Sequence, residues 1–92
     1  MRVVVSYDIS DDKRRRKVAE IMEGYGYRVQ YSVFECDLTK KQMAEMKRAL
    51  RPHVRSQEMD NIRFYPLPAD AVALIQVMGN DQARSLGLIA VI

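Results

Sequence analysis

The run Val3-Val4-Val5-Ser6-Tyr7-Asp8-Ile9 constrains this chain more than any other stretch. Its apolar, β-branched middle predicts a buried strand over Arg2 to Asp8. Alternation places Val3, Val5 and Tyr7 on one face and Val4, Ser6 and Asp8 on the other. Asp8 closes the strand. A carboxylate at the end of a buried strand is paired, bound to a metal, or exposed at the rim of the sheet. The plainer alternative is a turn residue leading into a helix. A helix-start signal, Ser10-Asp11-Asp12, follows at once, and behind it come five cations, Lys13-Arg14-Arg15-Arg16-Lys17.

Cations in the first turns of a helix oppose its macrodipole at roughly 0.3–1 kcal/mol each, and Asp11 and Asp12 offset this only in part. A local conflict of this kind points to a functional surface; the ordinary alternative is a solvated charged face. On the functional reading, replacing Arg14, Arg15 and Arg16 by Ala weakens nucleic-acid binding and leaves folding intact or slightly improved.

The first helix runs to about Glu23, with Val18, Ile21, Met22 and Tyr25 on one apolar stripe and Gly24 and Gly26 at its end. Tyr27 to Leu38 is strand-like for longer than one ordinary strand, and predicts two strands joined near Gln30 to Ser32. Thr39 and Gln42 form a capping box for a second helix, with Leu38 and Met43 as a hydrophobic staple. Met43, Met46 and Leu50 make its buried stripe, and Pro52 bends or ends it. Residues 54–61 read as a polar loop. A fourth strand spans Ile62 to Tyr65 and is closed by Pro66 and Pro68; two further apolar segments, Ala71 to Met78 and Leu86 to Ile92, complete the chain. The order β-α-β-β-α-β predicts an α+β, ferredoxin-like sandwich. Residues 1–92 form a single domain, with a core over 1–68 and an extension over 69–92. Surplus strands after a complete fold find their natural partner at the sheet edge of a second copy, so the expected state is a two-fold homodimer with a carboxy-terminal extra strand exchanged between protomers.

At 92 residues and 48% hydrophobic content the chain builds one small core, which favours oligomerisation. Net charge is +3, so the distribution of charge matters more than its sum. The one cysteine, Cys36, rules out an internal disulfide and fits a reducing cytoplasm. It sits in an apolar strand pattern, as a small core residue does. No signal peptide or membrane span is expected.

Phosphate-loop, zinc-protease, dinucleotide and serine-hydrolase motifs are all missing. With one His and one Cys, a catalytic triad or zinc site is excluded in practice. Carboxylate chemistry remains. A hard cation such as magnesium takes one or two carboxylates plus substrate phosphates. One Asp8 per chain is thin for that, but a dimer with Asp8 near its axis supplies two. The helix cations, with Arg28 and Arg63 on strands, suit phosphodiesters. The residues alone therefore lead to a metal-dependent nuclease dimer.

Tyr7-Asp8-Ile9, Arg28-Val29-Gln30 with Ser32-Val33-Phe34-Glu35, and Arg63-Phe64-Tyr65 with Leu67 resemble the motifs of the small CRISPR-associated endonuclease family (Cas-two). The resemblance covers residues 1 to about 68. It implies a ferredoxin-like homodimer and a magnesium-dependent endonuclease acting on single-stranded RNA or double-stranded DNA. One Mg2+ would be shared between two copies of Asp8 at the dimer axis, with Tyr7 as the neighbouring catalytic position. It places nucleic-acid contacts on Arg15, Lys17, Arg28 and Phe34, to which the charge run itself adds Arg14 and Arg16; Lys17 stands where the family often has Arg, which weakens a bidentate phosphate role there. It also implies a part in spacer acquisition for antiviral defence, with the CRISPR integrase subunit (Cas-one) as partner. The competing reading is a non-catalytic DNA-binding scaffold that bridges integrase subunits. An RNA-recognition module is a third, and needs two or three exposed aromatics on the central strands.

Overall fold

The β-branched run forms an inner strand, as its composition predicts. In the computed structural model, which describes residues 1–81 and the strand Ala90–Val91, β1 (Arg2–Asp8) is flanked on both sides. One neighbour is β3 (Val33–Asp37) and the other is β4 (Asn61–Leu67); β2 (Tyr27–Gln30) lies beyond β3, giving the antiparallel order β2-β3-β1-β4. Register pairs Val5 with Phe34 on one side and with Phe64 on the other. Helices α1 (Asp12–Glu23) and α2 (Lys40–Leu50) supply Val18, Met22, Met46 and Leu50 to a core shared with Val3, Val5, Phe34 and Cys36. This is the expected α+β ferredoxin-like sandwich.

Each cap does what its sequence predicts. The Asp11 carboxylate accepts from the Arg14 N–H at 2.9 Å. Thr39 accepts from the Gln42 N–H at 3.1 Å while the Gln42 side chain accepts from the Thr39 N–H at 2.9 Å. A cap of this kind is worth about 0.5–2 kcal/mol. The β2–β3 turn falls on Tyr31 and Ser32, with a register shift between Arg28 and Gln30. Gly26 lies under the next strand: a Cβ there would collide with the Glu35 carbonyl oxygen and Cys36 Sγ. Burial pushes the Cys36 thiol up to about 11, so it stays protonated and serves as core.

Three segments differ from the sequence expectation. β4 extends through Pro66 to Leu67; it is tolerated because, among the described residues, β4 pairs only with β1 and its outer edge needs no donor. The polar loop contains a short 3-10 turn, Ser56–Glu58, and ends in the buried Asp60. The segment Ala71 to Met78 is not one strand. Helix α3 (Ala69–Val72) opens it after Pro68, and only β5 (Gln76–Val77) is extended, pairing in parallel with β6 (Ala90–Val91). The rest of the segment Leu86 to Ile92 lies outside the described residues.

Candidate nucleic-acid and metal site

Alternation along β1 separates Tyr7 from Asp8. The Tyr7 ring turns into the core and stacks on Phe34, with centroids 6.3 Å apart. Asp8 is exposed at the strand end, on the face that carries Ser6 and faces Asn61 in register. The other aspartates are engaged. Asp11 caps α1, Asp12 pairs with Arg15, Asp37 with Arg2, Asp60 with Arg14, Asp70 accepts from the Ala71 N–H, and Asp81 has an interaction of its own. Among the described residues Asp8 is the aspartate whose carboxylate makes no hydrogen bond or ion pair. No three metal-ligating side chains gather among those residues, so a single chain offers a cation one carboxylate at this point.

The five cations of α1 divide by helical periodicity. Arg14 points inward and its guanidinium is committed: Nη2 donates to Asp60 Oδ2 at 2.7 Å and Nη1 lies 3.3 Å from Glu58. Asp60 has no exposed side-chain surface. It also accepts from the Ser10 N–H at 3.1 Å and the Arg55 N–H at 3.0 Å. Burial works to raise the Asp60 carboxyl, but the Arg14 guanidinium and those N–H groups outweigh it and hold it down at about 2. Asp60 hydrogen-bonds in the same way as a caught anion, and it ties α1 to the loop before β4. This corrects the expectation that neutralising Arg14 leaves folding untouched. Nothing around Asp60 in the sequence announces it, since its partner is 46 positions away.

Lys13, Arg16 and Lys17 share one side of α1 and face Pro52, His53 and Arg55 across an open groove of about 640 Å3. His53 and Arg55 were not singled out by their sequence context, because their nearness to α1 arises only from the packing of the segment after α2. Arg15 lies on the opposite side. It donates to the Ile9 carbonyl at 3.1 Å and pairs with Asp12. There Arg15, Arg16, Asp12, Arg28 and Tyr31 surround a second cavity of about 340 Å3, with Tyr7 and Ala19 at its wall.

Arg28 is exposed, and its guanidinium rests 5.2 Å from the centre of the Phe34 ring. Phe34 itself is fully buried. The expected direct contact between Phe34 and nucleic acid is therefore corrected: Phe34 pairs with Val5 on the core face of β3 and acts by seating Arg28. Arg2, by contrast, is buried on the outer face, bonded to Asp37 at 2.8 Å and Glu35 at 2.9 Å. Asp37, and with it Glu35, raises the Arg2 guanidinium and makes it a structural cation rather than a binding one.

The fold and site define a small ferredoxin-like protein with an uncommitted carboxylate at the end of its inner strand, beside a helix that presents cations on two sides. The family model for CRISPR associated protein Cas2 matches residues 1–73, and the chain belongs to that family. A Synechocystis sp. relative named CRISPR-associated endoribonuclease Cas2 3 is 49% identical over 76 residues, covering 83% of this chain and 82% of that one. The fold is similar to the crystal structure of Streptococcus pyogenes Cas2, with TM-score 0.67, 40% identity, and coverage of 74% of this chain and 87% of that one. It is also similar to a chain of a partial Cas6-RT-Cas1–Cas2 complex, with TM-score 0.67, 31% identity, and coverage of 77% and 82%. No helix among the described residues is long and apolar enough to cross a membrane.

Proposed function

We propose that this chain is a metal-dependent endonuclease of CRISPR spacer acquisition, working as a homodimer on the phosphodiester bonds of single-stranded RNA or of DNA. Asp8 carries the reading: it is exposed, uncommitted, and held at the end of an inner strand whose backbone is fixed on both sides. Two copies of Asp8 across a two-fold axis fit the needs of Mg2+, which takes one or two carboxylates and keeps the remaining positions for water and phosphate. Such an ion, when bound, supplies an activated water and neutralises charge on the phosphate. The chain's own residues do the rest. Arg16, Lys17 and Arg28 hold the backbone of the nucleic acid, Arg15 braces the turn before α1, and Tyr7 and Phe34 fix the strand ends on which Asp8 and Arg28 sit.

Dimerisation is supported by the edge of β4 and by Leu74 and Met78, which are large, apolar and exposed in the segment that follows it. The likeness to a chain of a Cas1–Cas2 assembly supports an integrase subunit of the Cas1 kind as partner. The test is a cleavage assay with single-stranded RNA and with duplex DNA, each with and without magnesium. Cleavage that requires the metal supports the nuclease; tight binding with no cleavage of either substrate supports the scaffold in its place.

A further inference from the structure

The cavity beside Tyr31 is not explained by phosphate binding alone. Tyr31 stands at the tip of the β2–β3 turn with 73% of its surface exposed, contributing nothing to the core. Turn chemistry does not call for an aromatic ring there. The ring and the Arg15 guanidinium line the same cavity. Arg15 in turn is anchored on the Ile9 carbonyl and on Asp12. Across the cavity, Arg28 is fixed on the Phe34 ring. The result is a recess lined by the exposed Tyr31 and the inner Tyr7, by the guanidinium groups of Arg15, Arg16 and Arg28, and by one carboxylate, Asp12.

We propose that this recess takes a single unpaired nucleobase, stacked on Tyr31, and so gives the protein a preference for single-stranded over duplex nucleic acid. The inference rests on the proposed nucleic-acid function and names the part of the substrate this cavity reads. Its volume of about 340 Å3 is at the small end of ligand sites, roughly 300–1,000 Å3. One planar base fits such a space; a base pair within a helix does not reach it without being unstacked. Every base has a π face, so an aromatic wall binds without strong sequence preference. Asp12 accepts from a base amino group at the edge, and Arg16 and Arg28 meet the flanking phosphates.

The test measures binding without divalent metal, by fluorescence anisotropy at fixed salt, of a short unstructured oligoribonucleotide and of a duplex of the same length. Tyr31→Ala, Tyr31→Phe and Tyr31→Trp are compared with the wild type, after circular dichroism has shown that each is folded. Tyr31→Ala is expected to weaken single-strand binding by roughly 5- to 150-fold and to leave duplex binding unchanged. Tyr31→Trp and Tyr31→Phe are expected to keep single-strand binding near that of the wild type. Equal losses on both substrates, or no loss on either, overturn the base recess while leaving the nuclease reading intact. A wild type that binds neither substrate overturns both.

Discussion

Arg14 and Asp60 form a buried ion pair, 2.7 Å between Nη2 and Oδ2, that joins the first turn of α1 to the residue preceding β4. The helix therefore does not present five equivalent cations to a ligand. One is consumed by the fold, and the rest lie toward the groove facing Arg55 or toward the recess beside Tyr31.

Arg14→Ala and Arg16→Ala should thus behave differently. Removing Arg14 leaves Asp60 buried without its cation, and should lower the melting temperature by on the order of 10 °C. Removing Arg16 should leave the melting temperature nearly unchanged and reduce the log–log salt slope of nucleic-acid binding by about one unit. Thermal melts and a salt series on the two variants check this; equal melting temperatures would contradict it.

The same pair predicts the acid limb of stability. The folded Asp60 carboxyl is held at about 2, whereas an unfolded aspartate titrates near about 3.9. The folded state therefore binds the proton less readily, and the stabilisation is fully present above about pH 4 and lost as pH falls toward about 2. The Arg14 N–H lowers Asp11 and the Arg2 guanidinium lowers Asp37 in the same direction. Denaturant midpoints should fall across that window, and the fall should be smaller in Asp60→Asn, which is less stable than the wild type at neutral pH. A slope unchanged by that substitution would contradict the assignment.

The strands and helices were legible in the sequence because their signals are local. Val3, Val5 and Tyr7 alternate with Val4, Ser6 and Asp8, and Thr39 with Gln42 writes out its own cap. Phe34 shows where a motif misleads: the family resemblance implies a nucleic-acid contact there, yet Phe34 shares the core face of its strand with Cys36 and lies inside. Asp60 was illegible for a different reason. Its role depends on Ser10, Arg14 and Arg55 converging from two distant parts of the chain, and no local pattern records that. The apolar content of the segment after Pro68 points to a strand, but Pro68 just before it, the helix-favouring Ala69 and Ala71, and Asp70 in the first turn make it open as a helical turn.

Gly26→Ala should destabilise the fold by roughly 1–3 kcal/mol. The new methyl group meets the backbone of β3, which cannot yield as a flexible side chain would. Urea unfolding measures the loss, and a neutral result would show that β2 and β3 separate more easily than their register implies.

Deleting residues 75–92 removes β5 and β6, the segment proposed to cover the β4 edge of a second copy. The proposed dimer should then give way to monomer or aggregate. A soluble, folded dimer of the shortened chain, seen by light scattering, would refute an assembly held through this extension.

Asp8→Asn measures the central claim most directly. The change is nearly isosteric, and Asp8 has no partner in the fold to lose, so structure and melting temperature should be kept. Cleavage of single-stranded RNA and binding of the same RNA are measured together in magnesium, for wild type and variant. The account predicts that cleavage falls by orders of magnitude while binding stays within about two-fold, because Arg16, Lys17 and Arg28 still hold the backbone. A variant that cleaves like the wild type would contradict it.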